Sequence, residues 1–345
     1  MSAEFTPRRD RPIADHGGAL DRAIARFGGA ERDWIDLSTG INPWPYPVPA
    51  IRPEAWTRLP DERALGDLAA AARAFYGAPS EAAVTMAPGS QALIQLLPRL
   101  LPPTRVAVVG PTYAEHARCW ALAGHDVHEV DEIDHEIDAS TAPVLVLVNP
   151  NNPDGRFWTP AHLSVLAERQ AARGGLVVVD EAFAELVPAA SLVPQAGMPG
   201  LVVLRSFGKF FGLAGLRLGF AFGPAALIDR LNAAFGPWAV AGPALEIGRT
   251  ALSDATWVTT TRDRLATATR ALDPILSAAG LAPVGGTDLY RLVRVVGADR
   301  IADRLGHHHI LVRCFADRPD WLRFGLPADE VAMGRLDAAL SKKDE

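Results

Sequence analysis

Short apolar runs, most of them rich in valine, recur between residues 105 and 222, and this repetition limits the possible fold more than any other feature. Such runs, apolar at nearly every position, are typical of parallel strands buried on both faces. Stretches with helical spacing separate them, and one begins with the helix-start signal Thr159-Pro160. The pattern therefore predicts an α/β fold with a large, doubly wound, mostly parallel sheet. The predicted strands are 105–109, 144–148, 176–180, 201–205 and 218–222, and the predicted helices 91–101, 114–123 and 160–173.

Two changes of pattern predict how the chain is divided. Residues 42–49, NPWPYPVP, carry too many prolines for a helix and indicate an extended arm. After residue 237 a long helical stretch, 243–279, precedes further strand candidates, which indicates a smaller α+β domain. We predict an N-terminal arm that forms part of the small domain at 1–45, a large domain at 46–237 and a small C-terminal domain at 238–345.

Charge and hydropathy narrow the class of function. The chain has 345 residues, a formal net charge of -6 and no long basic block, so neither nucleic acid nor an anionic membrane surface is an expected partner. Its longest apolar runs fall far short of the roughly 20 residues of a membrane span, and its first residues are polar. We expect a soluble, cytoplasmic protein that acts on small molecules.

Histidine supplies no convincing metal site. Consecutive side chains such as those of residues 307–309 point to alternate faces in a strand and make a poor ligand set, so we expect no metal. The other histidines outside the N-terminal segment are expected at the surface or in loops; these are His116, His125, His128, His135 and His162.

Polar residues follow the predicted strands at the points where each strand ends. Ligands in open α/β sheets collect at the carboxyl ends of the strands, so these residues are the natural candidates for a site. Lys209 is one of three lysines, and the other two lie at 342 and 343. The body of the chain otherwise uses arginine, which cannot lose its proton as lysine can. The segments concerned are NPNNPDG at 149–155, DEAF at 180–183 and SFGKFFGLAGLRLG at 206–219.

These three segments, in this order, resemble the fold type I pyridoxal-phosphate enzymes, and specifically the class I and II aminotransferase group that includes histidinol-phosphate aminotransferase. The resemblance covers nearly the whole chain. It implies pyridoxal 5'-phosphate as cofactor and Lys209 as the residue that forms the Schiff base, which needs an amine that can be neutral. It further implies that Asp180 binds the pyridine nitrogen, that Asn152 binds the ring hydroxyl and that Tyr113 stacks on the ring.

The same resemblance implies where the cofactor phosphate binds. Ser206 and Arg217 would hold it by side-chain contacts. Backbone amides of Gly89, Ser90 and Gln91, at the start of a predicted helix, would add donors and a favourable dipole. A nucleotide-phosphate loop is excluded, because the lysine is followed by phenylalanine and the required upstream glycine spacing is missing.

Two N-terminal segments narrow the resemblance. His16-Gly17-Gly18, and D-x-S-x-x-I-N-P at 36–43, are similar to segments of the threonine-phosphate decarboxylases of cobalamin biosynthesis. Phe183, where many aminotransferases have tyrosine, agrees with that group. Leu59 departs from relatives that have tyrosine before Pro-Asp, so a contact of that tyrosine with the neighbouring subunit's cofactor phosphate is in doubt here. The glycine pair is equally consistent with a flexible turn.

The resemblance implies a small phosphorylated amino acid as substrate. Arg323 is the candidate for its carboxylate, while Arg313 and His16 are candidates for its phosphate or for a second carboxylate contact. The predicted substrate-binding residues are His16, Gly17, Asn42, Asn152, Arg313 and Arg323.

We predict decarboxylation of L-threonine O-3-phosphate by a homodimer, and two alternatives stay open. One is histidinol-phosphate aminotransferase or a related aminotransferase, because the same cofactor-bound substrate can lose a proton or carbon dioxide from Cα, depending on which bond lies perpendicular to the ring. The other is a pyridoxal-phosphate-binding scaffold or regulator without turnover.

Overall fold

The computed structural model describes residues 16–133 and 142–341. Within these ranges the α-helices are α1 (Leu20–Phe27), α2 (Pro53–Thr57), α3 (Glu62–Tyr76), α4 (Ser90–Leu96), α5 (Glu115–Leu122), α6 (Pro160–Ala171), α7 (Phe207–Phe210), α8 (Ala225–Phe235), α9 (Gly242–Leu252), α10 (Ala255–Ala278), α11 (Ala298–His307) and α12 (Glu330–Ser341). The strands are β1 (Ile35–Asp36), β2 (Ala83–Ala87), β3 (Arg105–Val109), β4 (Asp126–Val130), β5 (Val144–Val148), β6 (Leu176–Asp180), β7 (Leu201–Ser206), β8 (Gly219–Gly223), β9 (Pro283–Thr287), β10 (Tyr290–Arg294), β11 (Ile310–Leu311), β12 (Arg313–Phe315) and β13 (Arg318–Gly325).

Seven strands form the central sheet, in the order β2-β8-β7-β6-β5-β3-β4. Strand β8 runs antiparallel to both of its neighbours, and the remaining strands are parallel to one another. The predicted doubly wound, mostly parallel sheet is therefore confirmed. The carboxyl ends of β2, β3, β5, β6 and β7 lie at one edge, together with the beginning of β8.

Hydrophobic cores cover both faces of this sheet. Val177 and Val179 of β6 belong to the core on one face, whereas Val178 belongs to the core on the other. Alternate side chains of a strand point to opposite faces, so a strand buried on both sides must be apolar throughout. The valine-rich runs of the sequence have this physical origin.

A buried ion network lies beside the sheet. Arg205, at 2% side-chain exposure, pairs with Glu181 at 2.6 Å and with Glu185 at 2.8 Å. Its guanidinium also lies over the Tyr76 ring, 4.3 Å from the centroid. Buried charges of this kind are tolerated only when they are paired, so the three charged side chains depend on one another.

The second sheet has the antiparallel order β12-β13-β10-β9, and helices α10 and α11 pack against it. The N-terminal segment joins this part of the molecule, because β1 pairs in parallel with β11. Two of the three consecutive histidines secure that segment: the His307 ring contacts Phe27 and the His309 ring contacts Trp34.

The structure corrects one predicted element. The stretch 243–279 forms two helices, α9 and α10, and Asp254 begins the second by accepting a hydrogen bond from the backbone N–H of Trp257 at 2.9 Å. Helix α6 begins at Pro160 behind a Thr159 cap, as predicted. Among the described residues no helix combines the length and apolar character needed to cross a membrane. The proposed domain boundaries at residues 45 and 237 stay predictions, and residues 1–15 of the predicted arm lie outside the described ranges.

Candidate active site

Most of the predicted site residues lie along one edge of the central sheet. Asp180 ends β6, Ser206 ends β7, and Asn152 lies four residues beyond the end of β5. Tyr113 lies four residues beyond the end of β3, and Gly89 two beyond β2. Because these strands are parallel, their carboxyl ends meet at one edge and their loops converge there. Arg217 joins the group from the opposite direction, just before the antiparallel strand β8.

Lys209 lies in the short helix α7, directly after β7. Phe207, Phe210 and Phe211 are fully buried and fix this turn of chain in the core. The lysine is left partly buried at the sheet edge. Burial, together with the positive charge of Arg323, lowers the pKa of its amine to about 8. A larger fraction of the amine is therefore neutral near physiological pH than in an exposed lysine, although most of it still carries a proton.

Asp180 has a partner that the sequence did not predict. Its Oδ2 lies 2.9 Å from Nε2 of His116, and its Oδ1 accepts a hydrogen bond from the backbone N–H of Ala182 at 3.1 Å. His116 is buried within helix α5, so its expected position at the surface or in a loop was wrong. His125 is also buried, with its Nε2 2.9 Å from the Pro98 carbonyl oxygen, but it lies in the loop between α5 and β4, as the prediction allowed. His128 and His162 are exposed as expected, and His135 lies outside the described residues.

Gly89, Ser90 and Arg217 lie together at the sheet edge and form a small pocket suited to an anion, the anion cradle. Gly89, with φ +86, comes so close to the Arg217 guanidinium that a Cβ there would lie 2.4 Å from Nη2. Arg217 itself has φ 55, and its Nη1 donates to the Ala214 carbonyl at 2.9 Å. Ser90, at the start of α4, is backed by Gly219, where a Cβ would lie 2.4 Å from the Ser90 backbone nitrogen. Glycine is needed at both positions, because any side chain would close the space.

Arg323 links the small sheet to the site. Its Nη1 donates to Oδ1 of Asn152, and its Nη2 donates to the Ser38 carbonyl at 2.7 Å. Arg313 lies directly opposite on the neighbouring strand, and cross-strand partners present their side chains on the same face. Burial and the charge of Arg313 lower the pKa of Arg323. The Nε of Arg323 is buried without a hydrogen-bond partner among the described residues.

The N-terminal segment closes one side of the site. His16 Nε2 lies 3.3 Å from Oε1 of Glu115, and its ring centroid is 5.6 Å from that of Tyr113. Gly17 lies against the Ser38 carbonyl, where a Cβ would be only 2.3 Å from the oxygen. Close backbone contact therefore requires this glycine, whereas the sequence left it open as a flexible turn.

Asn42 is placed differently from the other substrate candidates. Its amide donates to the Phe210 carbonyl at 2.8 Å, and its Oδ1 accepts from the Trp44 backbone N–H at 2.9 Å. Its own backbone N–H donates to the Lys209 carbonyl at 3.0 Å. These contacts tie the arm to the lysine helix, and a direct role in substrate binding stays a prediction.

Sequence reasoning missed several residues that complete the site. Glu115 accepts a hydrogen bond from Nε2 of Gln91 at 3.0 Å, and Gln91 Oε1 accepts from the Tyr113 hydroxyl at 3.1 Å. Tyr290 lies beneath Arg323, with the guanidinium carbon 5.0 Å from its ring centroid. The sequence could have indicated Glu115 and His116 as site residues. They follow Tyr113 by two and three residues, on the first turn of a helix that begins at the sheet edge. Tyr290 gave no such signal.

The assembled groups fit pyridoxal 5'-phosphate. The cradle at Gly89 and Arg217 suits a phosphate, the carboxylate of Asp180 suits a pyridinium N–H, and a neutral Lys209 amine suits an aldehyde. Asn152 keeps its amide nitrogen free to donate, because Arg323 occupies its oxygen. Across residues 16–133 and 142–341, no three histidine, cysteine or acidic side chains are grouped so as to hold a metal ion.

Comparisons with known proteins agree with this geometry. The aminotransferase class I and II family matches residues 32–336. A threonine-phosphate decarboxylase of Pseudomonas aeruginosa is 47% identical over 95% of this chain and 97% of its own length. Histidinol-phosphate aminotransferase 2 of Ralstonia nicotianae is 30% identical over 100% of this chain and 99% of its own.

A solved structure extends the comparison to the fold. The crystal structure of L-threonine-O-3-phosphate decarboxylase from Porphyromonas gingivalis superposes with a TM-score of 0.74 at 20% identity, over 88% of this chain and 97% of that one. At this identity the likeness concerns the fold alone. Family match, curated relatives and architecture agree, and the chain belongs to the aminotransferase class I and II family.

Proposed function

We propose that this protein uses pyridoxal 5'-phosphate to decarboxylate L-threonine O-3-phosphate to (R)-1-amino-2-propanol O-2-phosphate in cobalamin biosynthesis. The observation that carries the proposal is the likeness, over almost the whole chain, to a curated threonine-phosphate decarboxylase. The histidinol-phosphate aminotransferase is markedly less similar over the same length. The geometry supplies the groups that such a reaction needs.

Residues at the sheet edge would hold the cofactor. Arg217, Ser206 and the amides that follow Gly89 would bind its phosphate, Asp180 its pyridine nitrogen, and Tyr113 the face of its ring. When bound, pyridoxal phosphate supplies an electron sink for the electron pair that remains at Cα after carbon dioxide departs. His116, 2.9 Å from Asp180, would hold the carboxylate in one orientation.

Lys209 would anchor the cofactor through its amine and would then act as an acid. With a pKa of about 8, the amine can carry a proton and release it near neutral pH. We propose that its Nζ, or a water that it positions, delivers the proton to Cα after carbon dioxide has left. Arginine could not replace it, because a guanidinium keeps its proton.

Two arginines would orient the substrate. Arg323, buried and already engaged with Asn152, would bind the carboxylate, and Arg313 beside it would bind the phosphate together with His16. Carboxylate and phosphate are the two anions of threonine phosphate, and two guanidinium groups on one face of a sheet match that pair. Holding both anions fixes the torsion about the bond between the amino nitrogen and Cα, and this torsion decides which bond at Cα lies perpendicular to the cofactor ring and breaks.

A direct comparison of substrates tests the function. The purified protein is supplied with pyridoxal phosphate and incubated with threonine phosphate, or with histidinol phosphate and 2-oxoglutarate. We expect carbon dioxide and aminopropanol phosphate from the first mixture and negligible amino transfer in the second. Lys209→Ala is the control and should abolish turnover. Amino transfer from histidinol phosphate without carbon dioxide from threonine phosphate would establish the aminotransferase alternative, and cofactor binding without either reaction would establish the scaffold alternative.

We also propose a homodimer, on the basis of an exposed apolar surface. Trp56 is 70% exposed, and Leu59 and Trp238 are also largely exposed. The chain segments that carry them meet, because Ala55 lies against Gly242 at the start of α9, where a Cβ would be 2.2 Å from the Ala55 carbonyl oxygen. Large exposed aromatic side chains in one region are typical of interfaces.

The oligomeric state tests this part of the proposal. Sedimentation of the purified protein should give twice the chain mass, and Trp56→Glu should shift it toward the monomer. Val296→Glu, at a 92% exposed position elsewhere, is the matched control and should leave the mass unchanged. A monomeric wild-type protein would contradict the proposal.

A further inference from the structure

Glu115 is a buried carboxylate at the first turn of α5, beside the proposed substrate site. It is 4% exposed. Its Oε1 lies 3.3 Å from His16 Nε2, and its Oε2 accepts from Gln91 Nε2 at 3.0 Å and from Arg118 Nη1 at 3.2 Å. The thiol of Cys119 lies 3.8 Å from the same oxygen. A buried carboxylate requires such partners, and the position of each partner is fixed in return.

The contact with His16 determines what that imidazole can offer to a ligand. Nε2 faces the carboxylate and acts as the donor to it. The other ring nitrogen, Nδ1, makes no hydrogen bond to any residue within 16–133 or 142–341. When the ring carries both protons, Glu115 accepts one N–H and the second remains for an external anion.

The segment that carries His16 is also held two residues further along the chain, at Gly18. The Gly18 backbone N–H donates to Oγ of Ser38 at 2.7 Å, and the Ser38 carbonyl accepts from Arg323 at 2.7 Å. The segment of His16 is therefore connected through Ser38 to Arg323, the proposed carboxylate-binding residue. Through Glu115, the His16 side chain is connected to the helix that follows Tyr113. Glu115 connects His16 to the large sheet.

We propose that Glu115 is a positioning residue that holds His16 for the substrate phosphate and thereby favours phosphorylated substrates. The inference rests on the proposed function, since it takes the substrate phosphate to bind at His16. In this role Glu115 would contact His16, Gln91 and Arg118 and would touch neither substrate nor cofactor. Its influence passes through the imidazole, which a neighbouring carboxylate keeps in one orientation with one N–H committed.

A purely structural role makes a different prediction. Glu115 also pairs with Arg118 and receives the Gln91 amide, so its replacement could simply loosen α5. In that case cofactor affinity and thermal stability would fall together with phosphate affinity, and the effect would not depend on His16. Positioning through His16 predicts instead that the two replacements are not additive.

The test measures binding of isopropyl phosphate to the cofactor-loaded protein by calorimetry, without turnover. This probe carries the phosphate of the substrate but lacks its amine and carboxylate. The variants are Glu115→Gln, His16→Ala and the double replacement. Glu168→Gln, the same change at an exposed position on α6, is the matched control. We expect Glu115→Gln to weaken binding about tenfold, as for one charged hydrogen bond, and Glu168→Gln to have no effect.

The double variant should bind the probe no more weakly than His16→Ala alone. In steady-state assays, Glu115→Gln should raise KM for threonine phosphate by a larger factor than it lowers kcat. Wild-type affinity in Glu115→Gln, or additive losses in the double variant, would overturn the inference. Absence of carbon dioxide release by the wild-type protein would refute the proposed function instead, while the binding experiment would still decide the role of Glu115.

Discussion

Replacement of Lys209 by methionine is expected to stabilise the cofactor-free protein near neutral pH. Burial lowers the pKa of the amine from 10.5 to about 8, which means that the folded protein holds a charged amine unfavourably. At 1.36 kcal/mol for each pKa unit, the shift corresponds to about 3 kcal/mol. Methionine has a similar length and no charge, so it removes this destabilisation.

The pH dependence has a definite sign. Below pH 8 the amine is protonated in the folded and the unfolded chain, and the folded state carries the full destabilisation. Between pH 8 and 10.5 the folded protein loses the proton first, so the wild-type protein recovers stability as pH rises. The advantage of Lys209→Met should therefore be greatest below pH 8 and should vanish above 10.5.

Urea unfolding of the cofactor-free proteins, at matched concentration and at several pH values from 6.5 to 10.5, measures this difference. Lys209→Arg is the control: it keeps a charge at every pH and should give no stabilisation. A methionine variant that is less stable than wild type at pH 7, or an advantage that does not change with pH, would refute the reasoning. The expected stabilisation by methionine would show that the lysine is retained for chemistry at the expense of stability.

Three further predictions concern the anion cradle, the carboxylate of Asp180 and the buried ion network of Arg205. Gly89→Ala should weaken pyridoxal-phosphate binding at least about tenfold in an absorbance titration, because the new Cβ would lie 2.4 Å from Arg217 Nη2; unchanged affinity would exclude the cradle. His116→Asn should lower turnover about tenfold and shift the absorbance of the bound cofactor, since Asp180 loses a partner at 2.9 Å; an unaltered spectrum would argue against that contact. Arg205→Met should destabilise the protein by about 3–5 kcal/mol in urea, because its two glutamates would remain buried and unpaired; a change below about 1 kcal/mol would contradict their interdependence.

The sequence predicted the central strands well and the outer ones poorly. Strands β5, β6 and β7 are buried on both faces, so their side chains must be apolar and the pattern is continuous. Strand β4, DVHEV, lies at the edge of the sheet and is largely exposed, so polar residues are tolerated and the signal disappears. The break between α9 and α10 was missed because both halves keep helical spacing.

The residues of the candidate site also differ in how well the sequence predicted them. Residues that directly follow buried strands, such as Lys209 and Asp180, could be located because the end of a strand is visible in the sequence. Contacts between residues that are far apart in the sequence could not be predicted in this way. His116 meets Asp180 across 64 residues and His16 meets Glu115 across 99.

Local sequence determined the α/β layers, the edge at which the site lies and the lysine at its centre, since periodicity and strand ends are properties of neighbouring residues. Only the tertiary structure decided that a histidine supports Asp180 and that Arg313 stands beside Arg323. It also decided that a buried glutamate holds the N-terminal segment. These contacts depend on the register of strands and the docking of helices, which burial of the whole core fixes and no single segment encodes.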